Sequence, residues 1–266
     1  MLDALLFACL ACAQAVPVAS PPEALAVDVE LVLAVDISLS MDEKEFALQR
    51  AGYVEALRHP DFVQAVRSGN TGRIALAYFE WAGTVRDDAV ITWRIIDSAD
   101  SANSFADKVA ARPFRSFRGT SISAALAFGA GLFDRTNFAG ERSVIDISGD
   151  GPNNIGPPVT AMRDAAIAKG VVINGLPILI NPSPTFSHLD QYYARCVTGG
   201  PGSFVLPIHA AAEFSTAIRR KLILEVTGIQ DKARVTHVAT DAPINCLQGE
   251  RDRRFFSDPY FPELDR

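Results

Sequence analysis

Short apolar runs and longer amphipathic stretches alternate along this chain. Residues 30–37, Glu30-Leu-Val-Leu-Ala-Val-Asp-Ile37, are apolar, rich in β-branched side chains and bounded by polar residues, the pattern of a buried strand. From Asp42 to about Arg67 apolar residues return at helical spacing, at Phe46, Leu48, Tyr53 and Leu57, and Pro60 divides the stretch into two helices or one broken one. Further strands are predicted at 72–83, 89–97, 143–148, 171–179 and 202–208; the alternation in 89–97 suits an antiparallel edge or hairpin. Helices are predicted at 101–111, 121–132, 160–169 (closed by Gly170), around 188–196, and at 210–226 with Phe214, Ile218, Leu222 and Val226 on one face.

Apolar strands alternating with amphipathic helices imply a mostly parallel sheet covered on both faces. The expected fold class is α/β: a doubly wound, mostly parallel six-stranded sheet with helices on both faces and one antiparallel edge strand. No internal repeat appears, and one such domain over residues 27–228 fits the pattern better than two. Residues 229–266 read as a polar tail with a run of charges from Glu250 to Arg254.

Composition narrows the class. Of 266 residues, 48% are hydrophobic and 21% charged, which excludes a wholly disordered chain. The formal net charge of -6 argues against a general electrostatic grip on nucleic acid. No window of 18 or more uninterrupted apolar residues is present, so no integral membrane span is expected.

The first 15 residues, MLDALLFACLACAQA, form a short apolar run ending in small residues, and both Ala11-Cys12-Ala13 and Ala13-Gln14-Ala15 fit an A-x-A cleavage site. They are read as a signal peptide, residues 16–26 as a Pro/Ala-rich mature start, and the destination as periplasmic or secreted. Asp3 departs from the usual basic start, and a buried N-terminal helix is the competing reading. Without the leader, Cys196 and Cys246 remain of the four cysteines. In an oxidising compartment they can form one bridge that ties the tail to the body. The loop it closes spans about 50 residues, for roughly 4 kcal/mol of stabilisation. Two separate buried thiols are the alternative, and neither cysteine has zinc-site spacing.

In open α/β sheets ligands sit beyond the carboxyl ends of the strands. Asp36-Ile37-Ser38-Leu39-Ser40 follows the first strand, Gly149-Asp150-Gly151 follows the strand ending at Ser148, and Gly119-Thr120-Ser121 precedes the alanine-rich helix. Two carboxylates and several hydroxyls would converge at one edge. Such hard oxygen donors, without thiol or imidazole, suit Mg2+, Mn2+ or Ca2+ rather than zinc. Each donor also has a plainer reading. Ser40 with Glu43, or Thr120, can cap a helix, and Asp36 or Asp150 can serve a turn.

In order and rough spacing, Asp36-Ile37-Ser38-Leu39-Ser40, Gly119-Thr120 and Ser148-Gly149-Asp150-Gly151 resemble the metal-ion-dependent adhesion site of the von Willebrand factor A domain, and the similarity spans about residues 27–228. More narrowly, Tyr78-Phe-Glu-Trp-Ala-Gly83 and Cys196-Val-Thr-Gly-Gly-Pro-Gly202 resemble segments of a bacterial group of exported proteins with this domain, DUF1194. The resemblance implies ligation of a divalent ion, direct or through water, by Asp36, Ser38, Ser40, Thr120 and Asp150. It also implies a protein partner whose acidic residue completes the metal shell. The Cys-containing segment before the last strand and the polar tail depart from the wider family and bear on the binding rim, not on the ligands.

Arg112, Arg115 and Arg118 just before Thr120 are candidates for a basic rim that steers an acidic partner, or are solvated loop residues. His59, His188, His209 and His237 have no metal spacing, Trp81 and Trp93 are read as core, and Asp146 receives no assigned role. A phosphohydrolase of the haloacid dehalogenase type would need a second carboxylate two residues after Asp36, where Ser38 stands, and a late lysine. No G-x-S-x-G elbow or phosphate-cradling glycine loop is present. The sequence is therefore read as a non-enzymatic binding module, with a metal-free scaffold of the same fold as a further alternative. No oligomer is suggested.

Overall fold

The computed structural model describes residues 24–41, 43–181, 186–228 and 244–256. The leader expected at 1–15, the stretch from 16 to 23, and residues 229–243 and 257–266 of the tail lie outside the described residues.

Five strands form one sheet in the order β3-β2-β1-β4-β5. They are β1 (Leu25–Asp36), β2 (Ile74–Trp81), β3 (Val85–Ile96), β4 (Phe138–Gly149) and β5 (Val171–Pro177). All neighbours are parallel except β2 and β3, which pair antiparallel at the edge. β1 is buried from Val27 to Asp36 and β2 throughout, as expected of central strands covered on both sides. β3 alternates between buried and exposed positions, in keeping with its place at the edge.

Helices cover both faces: α1 (Glu43–Arg58), α2 (Pro60–Arg67), α3 (Ala99–Ala110), α4 (Ile122–Phe133), α5 (Val159–Ala168), α6 (Leu189–Tyr192), α7 (Phe214–Thr227) and α8 (Gln248–Phe256). One face buries Leu31, Leu33 and Tyr78 against Tyr53, Phe62, Phe105, Phe214 and Leu222 from α1, α2, α3 and α7. The other buries Val32, Ala34 and Ile147 against Leu126 and Ala166 of α4 and α5 and against Tyr192, Tyr193 and Cys196. Pro60 separates α1 from α2 because it lacks an N–H, and it sits at the start of α2, where none is needed.

The sixth expected strand, 202–208, runs beside β5 without forming a regular ladder. Only the bridges Gly175–Val205 and Ile178–Ile208 form. Gly175 N–H donates to the Phe204 carbonyl at 3.0 Å and Ile208 N–H to the Pro177 carbonyl at 3.0 Å. The rung between them is missing because Pro177 has no N–H to offer. The sheet therefore has five strands and an irregular sixth border.

Cys196 closes a π-helical turn, Tyr193–Val197, that continues α6. It is joined by a disulfide to Cys246, with 5.5 Å between the Cα atoms. This fastens the start of α8 to the body. Among the described residues no helix is long and apolar enough to cross a membrane.

Candidate metal centre

β1 and β4 run side by side in the same direction, with Val35 opposite Ser148, so the chain leaves both strands at one edge of the sheet. β2 and β3 lie beyond β1 on one side, and β4 and β5 on the other. The crevice between β1 and β4 is thus the point where the winding reverses, the usual ligand position in such sheets. Asp36 is the last residue of β1, and Asp150 is the first after β4.

Asp36 is fully buried. Its Oδ1 accepts from Ser38 N–H at 2.7 Å, and its carbonyl accepts from the buried Gln49 amide at 3.0 Å. Its Oδ2 is enclosed and has no hydrogen-bond partner. The Ser38 and Ser40 hydroxyls are hydrogen-bonded at 2.9 Å, and Ser40 Oγ donates to Asp150 Oδ1 at 2.6 Å. Ser40 thereby links the two strand ends across 110 residues of sequence.

Thr120 is held by its backbone. Its N–H donates to Asn154 Oδ1 at 2.9 Å, and its carbonyl accepts from Asn154 N–H at 2.8 Å. The cap of α4 is Ser121, whose hydroxyl accepts from Ala124 N–H at 3.2 Å, so Thr120 is not the capping residue. A Cβ built on Gly151 would lie 3.8 Å from Thr120 Oγ1, which sets that hydroxyl beside the Asp150–Gly151 turn. Asp36, Ser38, Ser40 and Asp150 form one chain of hydrogen bonds, with Thr120 next to it. Gly149 allows the close approach: a Cβ there would stand 2.7 Å from Asp36 Oδ2 and 2.8 Å from the Tyr193 hydroxyl.

Burial, followed by repulsion from Asp150, holds the Asp36 carboxyl well above the usual carboxylate range. Burial also pushes Asp150 up to about 6, with Glu45 adding repulsion and the Ser40 hydrogen bond opposing it. No lysine or arginine among the described residues pairs with either group. Two carboxylates and three hydroxyls with an orphaned, enclosed oxygen are the donors a hard dication takes, so these residues fit such an ion. Among the described residues no group of three or more His, Cys, Asp or Glu is disposed to hold a metal, so carboxylates alone do not build a cage here.

The three arginines part company. Arg112 turns inward: its Nε donates to Glu80 Oε2 at 2.8 Å, and with Arg50 it neutralises that buried acid at the end of β2. It braces the loop and is not available as a rim cation. Arg115 is exposed and paired with Asp88. Arg118 is exposed and has no ion-pair partner among the described residues. The sequence reading missed Gln49, Tyr193, Asn153 and Asn154. The two asparagines follow the Asp150-Gly151 turn closely enough to have been suspected, whereas nothing local marks Gln49 or Tyr193.

The family described as "Protein of unknown function (DUF1194)" matches residues 26–230. The chain belongs to the DUF1194 family. Among solved structures, this DUF1194 chain is similar to a von Willebrand factor type A protein from Catenulispora acidiphila, at 17% identity and TM-score 0.54, over 76% of this chain and 43% of that one. It is similar to the pilus adhesin SpaC from Lactobacillus rhamnosus GG, at 12% identity and TM-score 0.54, over 76% of this chain and 31% of that one. It is also similar to proximal thread matrix protein 1 from the mussel byssus, solved with a zinc-occupied MIDAS motif, at 15% identity and TM-score 0.50, over 76% of this chain and 48% of that one. The chain spans less than half the length of each of these proteins. At such identities the likeness establishes the fold, which is of the von Willebrand factor A type. No curated protein matches the sequence.

Proposed function

We propose that this protein is a divalent-metal-dependent binding module. Asp36, Ser38, Ser40, Thr120 and Asp150 hold Mg2+, or Mn2+ or Ca2+ in its place, and a carboxylate of a protein partner completes the shell. The observation that carries the reading is the enclosed, unpartnered Oδ2 of Asp36 beside a second buried carboxylate with no protein cation to balance the pair. An ion there satisfies the orphaned oxygen and removes the repulsion in one step. The mussel protein with its zinc-occupied MIDAS motif and the pilus adhesin share the fold, and both lend support to a metal-bearing interaction role. The apolar leader and the single disulfide favour an exported protein working in a periplasmic or extracellular setting.

Two measurements test the reading. Titration calorimetry is expected to show one Mg2+ or Mn2+ per chain, with a rise in melting temperature that Asp36→Ala abolishes. A folded protein that takes up none of the three ions would end the proposal. A pull-down from the producing cell's envelope is expected to retain a partner in Mg2+, and to lose it in EDTA or with Asp150→Ala.

A further inference from the structure

We propose that the groove between α1 and the loop following α3 is a docking site for the chain's own residues 257–266, which lay aromatic side chains into it and bring a carboxylate to the Asp36–Asp150 centre. This deepens the metal-dependent reading and rests on it.

The groove encloses about 410 Å3 between Phe46, Ala47, Arg50 and Val54 of α1 and Ala110 and Phe114 opposite. Phe46 and Phe114 meet edge to face at 4.8 Å. The Arg50 guanidinium lies 4.4 Å from the centre of the Phe46 ring. Its terminal nitrogens are occupied by Glu80 and by the carbonyls of Arg112 and Pro113, so it offers the groove a flat surface and no free terminal donor. Phe114 is 50% exposed, and Leu39, in the loop after β1, is 57% exposed. Large apolar side chains left in water beside a groove mark a contact surface.

The groove and the candidate centre share a wall. Phe117 N–H donates to the Ile37 carbonyl at 3.2 Å, and Leu39 N–H donates to the Phe117 carbonyl at 3.0 Å. The loop that carries Phe114, Arg115 and Arg118 is therefore stitched to the loop that carries Ser38 and Ser40. An occupant whose apolar group fills the groove has its neighbouring residues within reach of Arg118 and of the metal.

Residues 257–266 read Ser-Asp-Pro-Tyr-Phe-Pro-Glu-Leu-Asp-Arg. Tyr260, Phe261 and Leu264 are interleaved with Asp258, Glu263 and Asp265, which complements an apolar groove next to a dication and an unpaired arginine. Pro259 and Pro262 restrict the chain's freedom in advance and reduce the entropy lost on docking.

The segment's point of departure is also fixed on the correct rim. It follows α8, whose start is fastened by the Cys196–Cys246 disulfide. Asn153, three residues after Asp150, donates from Nδ2 to Glu250 Oε1 at 2.8 Å. Gly249 packs so closely there that a Cβ would lie 2.3 Å from the Asn153 carbonyl oxygen. Ten extended residues reach roughly 33 Å, about the width of a small domain. A tether of that length holds the segment at an effective concentration on the order of millimolar.

The test compares the full chain with a full-length variant carrying Asp258→Asn, Glu263→Gln and Asp265→Asn. Both are titrated with Mg2+ by calorimetry and with a labelled synthetic peptide of residues 257–266 by fluorescence polarisation. The variant is expected to bind Mg2+ about tenfold more weakly than the wild type. It should capture the peptide in Mg2+ but not in EDTA, while the wild type, already occupied, captures it at least tenfold less well. Phe114→Ala in the variant background is expected to weaken peptide capture and leave Mg2+ affinity alone. Equal Mg2+ affinities with no peptide capture would overturn the docking while leaving the metal reading intact. Capture indifferent to Phe114→Ala would overturn the groove as its seat. Dimerisation of the wild type that the variant loses would assign the segment to a second copy and overturn docking within one chain. If neither protein takes up Mg2+, the metal-dependent reading fails and this proposal fails with it.

Discussion

Two pairs of buried carboxylates are supplied in part by the same strand and meet opposite circumstances. Asp146, on the α7 face of β4, is paired with Lys221 Nζ at 2.5 Å, and the same ammonium meets Glu225 at 2.5 Å. All three side chains are buried. Asn174 adds a hydrogen bond to Glu225 at 3.3 Å. Burial and the nearby Asp146 push Glu225 up to about 8, while Lys221 opposes the shift. At neutral pH one proton and one ammonium leave that cluster without net charge. Four residues further on, Asp150 faces Asp36 through Ser40 with no ammonium at all. A protein that supplies a lysine for one pair and none for the other has built the first to hold itself together. The second is poised for a cation from outside.

The largest effect that would break this contrast is Lys221→Met, which leaves Asp146 and Glu225 without their cation. Urea unfolding is expected to show a loss of about 3–5 kcal/mol, with or without Mg2+; a loss below about 1 kcal/mol would mean that the ammonium is not the balancing charge. Next is Mg2+ itself. At one hundred times its dissociation constant it should add about 2.7 kcal/mol to the wild type and nothing to Asp36→Ala. Smaller and of opposite sign, Asp150→Asn in EDTA is expected to stabilise the fold by on the order of 1–2 kcal/mol, because it removes a buried carboxyl held above its ordinary range. Destabilisation on that scale would mean that Asp150 serves the apo fold.

The gentlest signal is the pH profile. Asp150 and Glu225 both bind protons more strongly folded than unfolded. Stability without metal should therefore fall as pH rises from the ordinary carboxylate range towards about 6 for Asp150 and about 8 for Glu225, and level off above. In saturating Mg2+ the Asp150 part should reverse, because protons then compete with the ion. Chemical denaturation from pH 4 to 9 would read both limbs.

What was legible in the sequence followed from periodicity and strand ends. β1, β2, β4 and β5 declare themselves as apolar runs, and the alternation of β3 marks it as an antiparallel border. The face of α7 through Phe214, Ile218, Leu222 and Val226 is buried as its spacing predicts. Residues 202–208 look like a strand, but the reason they fail to form a ladder lies in Pro177 on the neighbouring strand, and local pattern does not see across strands. The same blindness explains Asp146. Its partner Lys221 comes 75 residues later on a helix that reads as apolar on that face. Arg112 was read as rim because it sits among loop residues, yet the demand of buried Glu80 turns it inward. The five proposed ligands were visible because strand ends of a doubly wound sheet meet at one edge. Their surroundings, Gln49 and Tyr193 above all, depend on tertiary packing.

The borders of the sheet carry a last consequence. β3 turns Arg86, Asp87, Asp88 and Arg94 to solvent, and β5 is lined by the irregular 203–208 segment, with a proline in each of the two facing stretches. Neither margin offers a clean row of free amides and carbonyls to an incoming strand. Concentrated solutions of the folded protein are expected to stay free of fibres, with any precipitate arising from chains that have first come unfolded.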